Sequence, residues 1–177
     1  MAHMEDSGLA QQIEKAFPSS PLPEMSLRQA VLADQTLSRC ISEEEWAAER
    51  RKDGTTPWTM LTDELLCDCR EGLAHLDQES FVYYLGAFLR FAVKHARAQI
   101  LDREGELLCT VVSSITNRSN DNLGRLRALN DSQINCVIAV LELLSKTSET
   151  HGADSLNALN RYRLTPEAHR KTLVYVP

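Results

Sequence analysis

Residues 81–93 read Phe-Val-Tyr-Tyr-Leu-Gly-Ala-Phe-Leu-Arg-Phe-Ala-Val and carry a single charge, Arg90. A helix apolar on all sides is too hydrophobic for a surface, so the rest of the chain must wrap around it. Asp77 stands in the capping position, which places the helix over roughly 78–98. Phe81, Tyr84, Leu85, Phe88 and Ala92 form one stripe, and Val82, Leu89 and Val93 widen it. Arg90, Lys94 and Arg97 make a basic strip near the C-terminal end, where cations suit the helix dipole.

At 177 residues the chain has the length of one domain with a substantial core. Only seven Gly and six Pro punctuate it, as suits a mostly helical protein. The longest apolar stretches are interrupted by Arg90 and Lys94 or by Glu142, too early for a bilayer span. Met1-Ala2-His3-Met4 lacks the apolar centre of a signal peptide and is expected to be an appended remnant ahead of a start at Met4. Residues 5–146 are expected to form the helical core domain, with 147–177 an extension packed on it or trailing it. Five cysteines (Cys40, Cys67, Cys69, Cys109 and Cys136) have no regular spacing, and no His or Cys pair completes a zinc set. Reduced thiols in a cytoplasmic protein are the expectation.

Charge is unevenly spread. Residues 1–79 hold 16 acidic and 7 basic side chains, a net of −9, whereas 80–177 hold 9 and 12, a net of +3. Phosphates repel an acidic half, which argues against nucleic-acid binding. A basic protein partner would suit it, although carboxylates on solvated helix faces give the same imbalance.

Ser7 is a candidate cap for a helix to about Phe17, striped by Leu9, Ile13 and Ala16; Pro18, Pro21 and Pro23 then extend the chain. Ser26 caps a second helix with Leu27, Ala30, Val31 and Leu37 turned inward. Ser42 with Glu45 has capping-box spacing and opens a helix carrying Trp46, which ends at the turn pair Asp53-Gly54. After Pro57-Trp58, a helix from about Thr62 buries Leu65, Leu66, Cys69, Leu73 and Leu76 and turns Glu64, Asp68, Glu71 and His75 to another face. Residues 106–115 fit helix or strand, and 117–127 read as a polar loop. Asn130 with Gln133 opens the last strong helix, through Ile134, Val137, Ile138, Leu141 and Leu144. Beyond Lys146 the signal weakens, with a possible helical turn at Thr165-Pro166 and a strand or docked tail at Leu173–Val176. The expected fold is all-α: a single-domain bundle of six or seven helices around the 78–98 helix.

One succession of residues carries a family resemblance. Trp58, an amphipathic helix, Phe81-x-Tyr83-Tyr84-Leu85-x-Ala87, then Leu129-x-x-x-Gln133 before an apolar helix reaching Leu141 resembles a bacterial family of small proteins described only as a domain of unknown function. That family's aromatic block often reads Tyr-Tyr-Leu-Pro-Ala, and here Gly86 takes the Pro position. The similarity covers roughly residues 9–145. It implies a helical fold and a bacterial source, and supplies no catalytic residue. Bacterial families of this kind often include immunity proteins encoded beside toxins.

Catalytic signatures are sparse. Phosphate-cradling glycine loops, a nucleophile elbow and a zincin motif are all lacking from the sequence. His75, with Glu71 and Asp68 on its helical face, is the one candidate for a metal ligand or general base, against the plainer reading of a solvated acidic face. Cys67 and Cys69 could serve as nucleophiles only with a nearby cation, and Asp68 and Glu64 push the other way. Tyr83 and Tyr84 could line a pocket but at this spacing read as core. Glu43, Glu44 and Glu45 complement a helix dipole. Joined to Asp63, Glu64, Asp68 and Glu71, they would instead form one negative partner-binding surface. The expectation is a cytoplasmic, non-enzymatic protein without cofactor or metal that neutralises a cognate toxin, nuclease-like and basic. An enzyme of unrecognised class and a homodimeric adaptor are the alternatives.

Overall fold

The structure, a computed structural model, describes residues 2–117 and 119–164. The described residues contain nine α-helices and no strand: α1 (Ala2–Ala16), α2 (Leu27–Asp34), α3 (Glu43–Asp53), α4 (Asp63–Asp68), α5 (Gln78–Lys94), α6 (Arg103–Thr116), α7 (Asn120–Arg127), α8 (Asp131–Thr147) and α9 (Gly152–Leu164). Short 3-10 turns occupy Gln35–Leu37, Trp58–Met60 and Arg70–Ala74. Among the described residues no helix is long and apolar enough to cross a membrane.

α5 is the axis of the bundle, with α1, α6, α7, α8 and the Trp58 turn packed around it. Phe81, Leu85, Ala87, Phe88, Leu89 and Ala92 are fully buried. The aromatic block ties distant chain to this axis. The Tyr83 hydroxyl donates to the Ser19 carbonyl (3.0 Å) and accepts from the Trp58 amide (3.3 Å). Trp58 Nε1 donates to the Phe17 carbonyl (3.0 Å). Gly86 permits the approach: a Cβ there would lie 2.8 Å from Phe17 Cβ and 3.0 Å from the indole of Trp58.

Capping follows the sequence pattern. Ser26 with Gln29 and Asn130 with Gln133 form reciprocal boxes at α2 and α8. Asp77 accepts from the Ser80 amide at 2.8 Å. Ser42 accepts from the Glu45 amide (3.1 Å), but the Glu45 carboxylate turns outward to Arg39 and does not close the box.

Several expectations are corrected, and others left open are resolved. Ser7 lies inside α1, which already includes Ala2–Met4. The helix from Thr62 stops at Asp68 and passes into the 3-10 turn, because α2 lies against it: a Cβ on Gly72 would come 2.9 Å from the Leu27 carbonyl. α5 ends at Lys94, where His95 stacks on Phe91 (4.3 Å between centroids) and reaches Asp63. Residues 106–115 are helical, within α6. The polar run after Asn117 contains α7, whose Arg125 donates to the carbonyls of Leu73 (3.1 Å) and Ala74 (3.0 Å) and stands over the Phe81 ring. Packing here overrides a weak local preference. The extension contains α9, which buries Ala158 and Leu159 against the body. Neither the Leu37 side chain, nor the turn at Thr165-Pro166, nor the tail Leu173–Val176 is described by the structure.

α3 stands apart in character. It is polar almost all round and buries only Asp53. Its seat is made of polar bonds: Gln29 Nε2 to the Trp46 carbonyl (3.1 Å), Arg50 to the carbonyls of Pro23 (2.9 Å) and Glu24, and the Arg28 amide of α2 to Asp53 Oδ2 (3.1 Å). Of the five cysteines, Cys40 is exposed just before α3, Cys109 is intermediate, and Cys67, Cys69 and Cys136 are buried.

Candidate functional site

A groove of about 680 Å3 runs between α1 and α4 over α5. Its floor is apolar (Ala10, Leu61, Leu66, Ala87, Phe91 and Val93), and its rim carries Thr62, Asp63, Arg90 and Lys94. The local sequence builds this edge. Thr62 caps α4 by accepting from the Leu65 amide (3.2 Å), so Asp63 and Glu64 fall in the first turn, where carboxylates suit the dipole. Met60, 71% exposed, stands one residue before the Leu61 wall.

The rim charges are already matched. Asp63 Oδ2 accepts from Lys94 Nζ (2.5 Å) and from His95 Nε2 (2.8 Å). Burial pushes its carboxyl up, and the bonds from Lys94 and His95 more than offset that, leaving it below the ordinary carboxylate value. Arg90 donates to the Thr59 carbonyl (2.8 Å), pairs with Glu14 at 3.4 Å and lies 5.3 Å from the centre of the Trp58 ring. The site offers an apolar trough with both signs of charge at its lip, suited to a segment with apolar side chains and a charged flank.

The seven sequence-selected carboxylates divide between helices seated on different neighbours. Glu43, Glu44 and Glu45 open α3, which packs on α2. Asp63, Glu64 and Asp68 belong to α4, which packs on α5 and α6, and Glu71 lies in the following 3-10 turn. Four of the seven have a cation of their own: Glu45 with Arg39 (2.5 Å), Asp63 with Lys94, Asp68 with Arg103, and Glu71 with Arg70 (3.7 Å). The bond from Arg39 holds Glu45 below its ordinary value. Glu43, Glu44 and Glu64 are exposed and make no ion pair among the described residues.

The catalytic alternatives are not assembled as the helical pattern suggested. With α4 ending at Asp68, His75 no longer shares a helix with Glu64 and Asp68; its Nε2 meets Asp34 of α2 at 3.0 Å. Among the described residues no three His, Cys, Asp or Glu side chains gather as an ion would require. Burial raises the Cys67 thiol and pushes Cys69 to about 12, so both are thiols near neutrality. Tyr83 and Tyr84 are core residues, 8% and 1% exposed. Sequence reasoning missed Ala10, Leu61 and Thr62; only the capping signal Thr62-Asp63-Glu64 hinted at this edge, and nothing local tells that Ala10 faces it.

No curated protein and no solved structure matches the chain. One family does, from residue 5 to residue 164 and so from α1 through α9: the chain belongs to the family of unknown function DUF6714.

Proposed function

We propose that this protein works by contact, as an immunity-type protein that binds and neutralises a cognate toxin in the bacterial cytoplasm. The observation that carries the reading is the apolar groove bordered by α4, with Asp63 at its rim; Glu64, the next residue in the first turn of α4, makes no ion pair among the described residues. A partner side chain would fill the trough while partner Lys or Arg groups meet Glu64, with Asp63 and Asp68 able to exchange their own cations. Glu43 and Glu44 on α3 offer a second, smaller acidic contact, and Glu45 and Glu71 extend these edges. A nuclease-like toxin with a basic cleft fits this chemistry, because the cations that grip phosphate would be occupied and the cleft occluded. Desolvated charge pairs of this kind cost on the order of 2–5 kcal/mol when one member is truncated.

Co-expression with the protein encoded by the adjacent reading frame tests the reading. A complex of nanomolar affinity and rescue of growth are expected. Ala10→Trp, which fills the groove, and Glu64→Lys, which reverses the exposed charge next to Asp63 on α4, should each weaken binding roughly tenfold or more, about 1.4 kcal/mol. Absence of both complex and rescue would defeat the proposal; unchanged affinity in both variants would move the contact away from the groove.

A further inference from the structure

A polar cluster lies buried where α8, α9 and α6 meet. His151 is 5% exposed and directly precedes α9. Its carbonyl accepts from the Ser155 amide (2.9 Å), the first bond of that helix, so His151 is the cap residue. Its own amide donates to Ser148 Oγ (3.0 Å). Its imidazole Nε2 lies 3.5 Å from Cys109 Sγ on α6. The Ser155 hydroxyl, fully buried, has no hydrogen-bond partner among the described residues.

We propose that this junction is an acid-released clasp: neutral His151 holds α9 closed on α6 and α8, and a proton on its imidazole opens α9 while the bundle around α5 stays folded. Three features of the geometry make the charged form unwelcome. The ring is buried, and an ion there loses its hydration. The group facing its Nε2 is a thiol, a weak acceptor that cannot balance a charge. The ring stands at a helix N-terminus, the positive end of the dipole. Asp154, in the first turn of α9, acts in the opposite sense. Glu106 on α6 acts on Cys109, and Lys146 in the last turn of α8 is exposed. The balance lowers the imidazole, by burial first and with Asp154 opposing. An opened imidazole takes its proton near the ordinary value of 6.5. The clasp is therefore at full strength above that pH and weakens as pH falls toward the closed-state value. Opening uncovers Ala158 and Leu159.

Hydrogen exchange on the full chain between pH 8 and pH 5.5, corrected for the intrinsic rate, tests this. Amides of α9 should lose protection severalfold, up to about tenfold, on acidification while those of α5 keep theirs. Loss of protection in both together, or in neither, overturns the proposal. His151→Gln, which keeps a neutral polar side chain, should abolish the pH dependence of α9, and a dependence that persists overturns it. Should that variant not fold, the imidazole of His151 can be titrated by NMR in the unsubstituted protein. A midpoint below 6.5 that tracks exposure of α9 supports the clasp, and one at or above 6.5 overturns it.

Discussion

α5 and α3 are both well-formed helices held by opposite means. α5 buries twelve of its 17 residues; α3 buries one of 11. The first is held by packing spread over its whole circumference. The second is held by a few addressed hydrogen bonds, from the Gln29 side chain of α2 to the Trp46 carbonyl and between α3 side chains and backbone groups of α2 and the proline segment, each worth about 0.5–1.5 kcal/mol net. Substitution on α5 therefore disturbs the body of the molecule, whereas the outward side of α3 is free to vary for other purposes. The difference separates residues that specify the fold from those left to meet a partner.

The largest break in this contrast should come at the axis. Trp58→Ala removes a fully buried indole and its bond to the Phe17 carbonyl and should cost about 3–5 kcal/mol in chemical denaturation. Gly86→Ala comes next. On an exposed helix the change would gain up to about 1 kcal/mol, but here the new Cβ meets Phe17 Cβ at 2.8 Å, so a loss of about 1–3 kcal/mol is expected. A gain in the unfolding midpoint would show that α5 has room to spare.

At the seat of α3 the expected effect is smaller and depends on pH. Asp53→Ala removes the acceptor of the Arg28 amide and should cost about 1–2 kcal/mol. Burial pushes the Asp53 carboxyl up, against bonds from Ser26 and the Arg28 amide. The folded chain thus holds that proton more tightly than the unfolded one. Its stabilising contribution is present below the ordinary carboxylate value and is lost as pH rises through the folded value. Asn has no such proton, so the stability of Asp53→Asn relative to the parent should improve as pH rises. A difference independent of pH would contradict the burial argument. Smallest of all, Glu43→Ala and Glu44→Ala should change stability by less than about 0.5 kcal/mol, and a larger loss in thermal unfolding would place them in the fold.

The α5 side of the comparison was legible from sequence because its signals are local. The apolar run, the Asp77 and Ser26 caps and the Asn130–Gln133 box each lie within one helix. What escaped was decided at a distance. α7 is anchored by Arg125 to carbonyls 51 and 52 positions earlier. The helix from Thr62 is broken by the approach of α2 to Gly72. At the candidate site, charge pattern picked out Asp63, Glu64 and Asp68, yet not the partners that neutralise two of them, which lie 31 to 35 positions away. A groove walled by three helices has no signature in any one of them.

The single exposed thiol has a practical consequence. Cys40 lies two residues before the Ser42 cap and beside the acidic start of α3, while three of the other four sulfurs are shut inside. A maleimide dye would attach there in preference, with no engineering. Its fluorescence would report directly on anything that settles against that end of the molecule.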